Sequence, residues 1–133
     1  MSSNADTIQS AMQCDKIGQI AISVRDLERS KHFYQNILGM TFLFDAGNMS
    51  FFQCGEIRFM IAGSDKPAAP SSTIIYFRVQ DIEATFAHLK AQGAVTQSEP
   101  HLVAKMPDHD LWMAFLADPD GNTIGLMCEK AKT

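Results

Sequence analysis

No stretch of this 133-residue chain strings together the roughly 20 apolar residues that a membrane-spanning helix needs. A membrane is therefore not expected as a partner. Basic excess is missing too: 11 Lys and Arg stand against 15 Asp and Glu, for a formal net charge of −4. A surface without a basic stripe is poorly suited to a phosphate backbone, which argues against nucleic acid. Cysteine is scarce, and Cys14, Cys54 and Cys128 form an odd set with no Cys-x-x-Cys spacing. That pattern argues against a disulfide framework and for a reduced, cytoplasmic setting. The opening MSSNADTIQS has neither the basic region nor the apolar core of a signal peptide, so residues 1–15 read as a polar tail. The length suits one domain, or two small half-domains sharing a core.

What is present is organised around residues 111–128. Two apolar runs there flank Asp118, Pro119, Asp120, Gly121 and Asn122. Asp-Gly and Gly-Asn supply the positive φ that a tight reversal requires, so this is a hairpin. Upstream, residues 16–24 (KIGQIAISV) alternate as a strand. Asp26 is placed to cap a helix striped by Leu27, Phe33, Tyr34, Ile37 and Leu38, which stops at Gly39. Strands are expected at about 41–46, 49–54 and 57–62. Residues 63–72, with two prolines among small polar residues, form a linker.

The pattern then starts again. A strand over 73–79 precedes Asp81 as a cap, and Ile82, Phe86 and Leu89 stripe a helix that ends at Gly93. Strands at about 94–98 and 102–105 lead into the hairpin. The halves superpose with an offset of 55: Ile20 falls on Ile75, Val24 on Val79, Asp26 on Asp81 and Glu28 on Glu83. Such a repeat means two copies of one unit, neither able to bury its apolar face alone. The order is βαβββ twice, over 16–62 and 73–130.

Alternation sorts the strand faces. Ile20, Ile22, Val24 and Ile75, Phe77, Val79 are purely apolar and should pack under the helices, as should Ile57, Phe59 and Ile61. The opposite sets are mixed: Gln19, Ala21, Ser23; Arg58, Met60; Ile74, Tyr76, Arg78; Gly125 and Met127. That face lines a ligand cavity or simply meets solvent. Trp112, at the start of the hairpin, either stacks on a flat ligand beside Tyr76 and Arg78 or serves as a core or interface aromatic. His101 and His109, near Asp108 and Asp110, match no metal-ligand spacing and suit solvated or capping roles. The eight methionines suit a deformable pocket or ordinary core filling.

The repeat, the helix start at Val24–Tyr34 and the DPDGN hairpin together resemble the vicinal oxygen chelate superfamily, which includes glyoxalase I, bleomycin-resistance proteins and extradiol dioxygenases. The resemblance covers about residues 16–128. It implies an α+β fold of two βαβββ modules forming a cupped mixed sheet, with helices on the convex face and the ligand on the concave one. It also implies a homodimer. Members that bind a divalent metal follow DPDGN with two residues and then a Glu, where this chain has Gly125. The four implied ligand positions fall on Gln19, Met60, Ile74 and Gly125, and of these only Gln19 offers an oxygen donor.

The expected protein is therefore a glyoxalase- or bleomycin-resistance-like one, without metal or other cofactor, binding a small organic ligand through Gln19, Arg58, Met60, Tyr76, Arg78, Trp112 and Gly125. The alternatives are a metal-dependent lyase, epimerase or dioxygenase of the same superfamily, and a non-catalytic dimeric interaction module. At the hairpin itself, Gly121→Val is expected to cost about 1–3 kcal/mol, because a β-branched residue resists positive φ. Thermal denaturation checks this; a variant that melts like wild type would remove the turn assignment.

Overall fold

A computed structural model describes residues 14–66 and 70–132, so most of the expected tail and part of the expected linker lie outside the described residues. Two βαβββ modules follow one another. The first comprises β1 (Gln19–Val24), α1 (Leu27–His32) running into a π-helical turn (Phe33–Ile37), β2 (Thr41–Ala46), β3 (Met49–Cys54) and β4 (Ile57–Gly63). The second comprises β5 (Ile75–Arg78), α2 (Ile82–Ala91), β6 (Val95–Lys105), β7 (His109–Ala117) and β8 (Thr123–Ala131). Each forms a four-stranded mixed sheet, ordered β1-β4-β3-β2 and β5-β8-β7-β6. The first strand of each module runs parallel to the last, and the other neighbours are antiparallel.

Both helices start as their sequences direct. The Asp26 carboxylate accepts from the Arg29 N–H at 3.1 Å, and Asp81 from that of Ala84 at 3.0 Å. The apolar strand faces then pack under them. Val24, Phe52, Phe59 and Ile61 meet Phe33 and Tyr34 in one cluster; Ala114, Leu116, Leu126 and Cys128 meet Ile82, Phe86 and Leu89 in the other. Phe77, Ile37 and Leu38 touch both clusters, so the modules share one interior.

One strand differs from expectation. In place of separate strands at 94–98 and 102–105, β6 runs unbroken from Val95 to Lys105, Pro100 included. It lies at the edge of its sheet, where a residue without an N–H is tolerated, and its pairing to β7 is irregular on either side of the proline.

The hairpin is more than a turn. Gly121 takes φ +87°, and the Asp118 carboxylate, 4% exposed, gathers the loop by accepting from the N–H groups of Asp120 (2.9 Å) and Asn122 (2.8 Å). Its second oxygen accepts from the Asn122 amide at 3.0 Å and from the Tyr34 hydroxyl at 2.7 Å. Asp120 accepts from Arg25 N–H and from the Arg29 guanidinium, at 2.9 and 3.0 Å. Module two is thereby bolted to the helix of module one. Burial pushes the Tyr34 hydroxyl pKa far above the ordinary tyrosine range, reinforced by the charge of Asp118 and the bond to it.

Tyr34→Phe should cost about 1–3 kcal/mol, since it leaves a buried carboxylate short of a donor. The pH dependence follows from the raised pKa. Above about pH 10 the unfolded chain releases the Tyr34 proton while the folded chain holds it, so stability falls as pH rises past that point. Urea denaturation between neutral and alkaline pH should show a shallower alkaline decline in Tyr34→Phe; an unchanged slope would overturn the assignment.

Candidate functional site

Each sheet turns one face to its helix and leaves the other open. On module two, register lays out the open face in rows. Tyr76 pairs with Gly125, which pairs with Phe115; the next row is Arg78, Met127 and Met113, which pairs in turn with His101. The Tyr76 ring lies flat across Gly125: a Cβ there would stand 2.5 Å from Tyr76 Cδ2 and 2.8 Å from Cε2. Gly125 is thus required by close approach rather than by a turn. The Tyr76 and Phe115 rings meet edge to face at 5.8 Å, and His101 lies 6.3 Å from Phe115.

Charge sits at one end of this floor. Arg78 donates to Glu129 Oε2 at 2.9 Å, and His109 Nε2 lies 4.0 Å from the same oxygen. His109 Nδ1 lies 2.8 Å from Asp108, and the hydrogen bond from His109 holds the Asp108 carboxyl below its usual range. Arg78 is therefore already engaged by a carboxylate.

On module one the open face carries Gln19 directly across from Arg58, then Ala21, Met60 and Phe51 in the adjoining row. Phe51 is stacked under Phe44 at 4.6 Å. Arg58 is exposed, and its guanidinium has no ion-pair or hydrogen-bond partner among the described residues.

The seven residues singled out from the sequence thus separate. Gln19, Arg58 and Met60 gather on the open face of module one, and Tyr76, Arg78 and Gly125 on that of module two. Trp112 joins neither. It pairs with Cys128 and packs into the helix-side cluster, with Lys130 Nζ 4.1 Å above its ring and held by Glu83 of α2. The stacking role beside Tyr76 is corrected by one step of strand alternation. Phe115 and Glu129 join this face without being singled out by the sequence, and Met113 takes the pocket-lining place open to the methionines. Strand β7 is apolar on both faces, so alternation alone could not phase it; counting outward from the DPDGN turn would have.

A cavity of about 580 Å³ opens between β1 and β5, with Ala21, Ile74 and Tyr76 at its rim and Ile20, Ile22 and Phe77 deeper. A second, of about 380 Å³, is bordered by Arg78, Gln53 and Thr85, and Cys54 and Phe77 line both.

This architecture has known counterparts. A probable lactoylglutathione lyase from Vibrio cholerae is 29% identical over 133 residues, covering 90% of this chain and 94% of that protein. The solved glyoxalase family protein from Enterococcus faecalis is 26% identical, with a TM-score of 0.73 over 87% of this chain and 99% of the other. A fosfomycin resistance protein from Listeria monocytogenes shares the fold at a TM-score of 0.69 and 18% identity, over 86% of this chain and 93% of its own. The model of the Glyoxalase/Bleomycin resistance protein/Dioxygenase superfamily matches residues 16–126, which takes in both modules and the clamp between them, and the chain belongs to that superfamily.

Proposed function

We propose that this chain is a small-molecule-binding member of the superfamily that works without the divalent metal. The observation that carries this reading is the Tyr76 ring lying over Gly125. At the four positions where metal-binding members carry ligands, Gln19 offers an amide oxygen, Met60 a soft thioether and Ile74 nothing. At Gly125 the space in which a ligand side chain would begin is filled by an aromatic ring. One hard donor falls short of the about three protein ligands a catalytic divalent site uses, so the residues present do not fit the metal.

The same features suit an organic ligand. Tyr76, Phe115, Met113 and Met127 make an aromatic and thioether floor, bordered by Arg78, Glu129 and the two histidines. A flat apolar body on this floor, with an anionic or carbonyl group facing Arg78, matches its chemistry. Binding rather than turnover accounts for the arrangement, as in a sequestering protein. A lyase reading draws on the similarity to the Vibrio cholerae protein. Stoichiometric nickel, zinc, manganese or iron in the purified protein would select it.

The partner we propose is a second copy. Phe44 is 45% exposed and Tyr76 41%, each on the open face of its own module. Apolar faces of this kind in a small protein mark association surfaces, and a self-complementary pairing would cover both at once. Sedimentation at micromolar concentration should show a dimer, and a monomer would overturn this part of the reading.

Fluorescence titration with anilinonaphthalene sulfonate, a flat aromatic anion, tests the ligand site. Tyr76→Ala should weaken binding by about tenfold, the equivalent of one lost aromatic contact. Trp112→Phe, on the helix side of the sheet, should leave it unchanged. Equal binding by wild type and Tyr76→Ala would remove the open face of module two as the site.

A further inference from the structure

The cavity between β1 and β5 does not lie on a sheet face. It touches three consecutive residues of β1, Ile20 to Ile22, and three of β5, Ile75 to Phe77, with Ile74 just before them. Consecutive strand residues point to opposite sides, so a space that meets all of them passes between the two strands, from the open face toward the helix side. Both strands are end strands of their sheets, and their outer edges face this gap. Its wall is mostly apolar, with Ile57 and Phe59 added from β4 and Ser71, Thr73, Asn122 and Thr123 as its polar part. Tyr34 closes it at depth, and the proton of that hydroxyl is committed to Asp118. At about 580 Å³ it falls in the range of small-ligand sites, and well-packed interiors leave no dry void of that size.

A cation lies next to this gap in the strand register. Arg58 follows Ile57 of the cavity wall and pairs with Gln19, which precedes Ile20 on the same wall, though neither of the two lines the cavity itself. Arg78, by contrast, is held by Glu129 and borders the other cavity. The smallest side chain lining the gap is Ala21, which follows Ile20 in β1.

Resting on the reading that the open faces bind an organic ligand, we propose that the ligand is an amphipathic carboxylate. Its head meets Arg58 and the Gln19 amide, and its narrow, unbranched tail passes Ala21 to lie between β1 and β5. A gap bounded by two strand edges admits an alkyl chain more readily than a broad fused-ring body.

Calorimetric titration of the full chain with butanoate, hexanoate, octanoate and decanoate tests this. Affinity should rise about fourfold per added methylene, the value for burying one CH₂, until the gap is filled. Ala21→Phe should flatten that rise while sparing butanoate, and Ile74→Trp gives a second block at the rim. Arg58→Ala should weaken the whole series about tenfold, with partial rescue in Arg58→Lys. A series that is flat in wild type, or a rise that survives both blocking variants, would overturn the proposal. If anilinonaphthalene sulfonate still binds through Tyr76 while the carboxylate series is flat, the open-face reading stands and this inference alone falls. If neither probe binds, both fall.

Discussion

One buried hydrogen bond, from the Tyr34 hydroxyl to Asp118, orients the two modules of this molecule. The two four-stranded sheets share an apolar interior but no strand pairing among the described residues, and apolar contact alone does not fix direction. The Asp118 carboxylate does so because it is itself pinned by its own loop, accepting the N–H groups of Asp120 and Asn122. A charge taken out of water must be fully partnered, and here the last donor comes from the other module. Asp120 adds a second tie through Arg25 and Arg29, and Asn122 holds the linker by accepting from the Ser71 N–H. The turn chemistry and the inter-module geometry are thus one requirement.

Residue 125 follows a comparable logic. The absence of a Glu after DPDGN could be a simple gap in the pattern, but the Tyr76 ring stands where a side chain there would begin. A ring packed on bare backbone excludes any side chain at residue 125, so Tyr76 and Gly125 form a matched pair. Neither can change alone without a clash or a hole.

Legibility in the sequence tracked how local each determinant is. The helix starts at Asp26 and Asp81, the turn at Gly121 and the repeat itself depend on near neighbours, and all were readable. The sorting of β1, β4 and β5 into helix-facing and open sets was readable too, because one set was purely apolar. Trp112 was not, because β7 is apolar on both sides and only its register with Cys128 settles its direction. The difference between the two arginines was equally hidden. Arg58 and Arg78 look alike in sequence, and only the fold brings Glu129, 51 residues away, to one of them. Tyr34 read as an ordinary stripe residue, since its partner lies 84 residues downstream.

The irregular course of β6 has a consequence for how copies of this chain can meet. An eleven-residue edge strand is a template on which another chain could zip, and growth by edges has no natural end. Here Pro100 withholds a donor and the pairing slips near Ser98 and again after Leu102, so the strand offers no continuous ladder. Fibre-like growth along that side is blocked by the backbone itself. The pairing proposed above uses the sheet faces instead, where contact saturates once a face is covered.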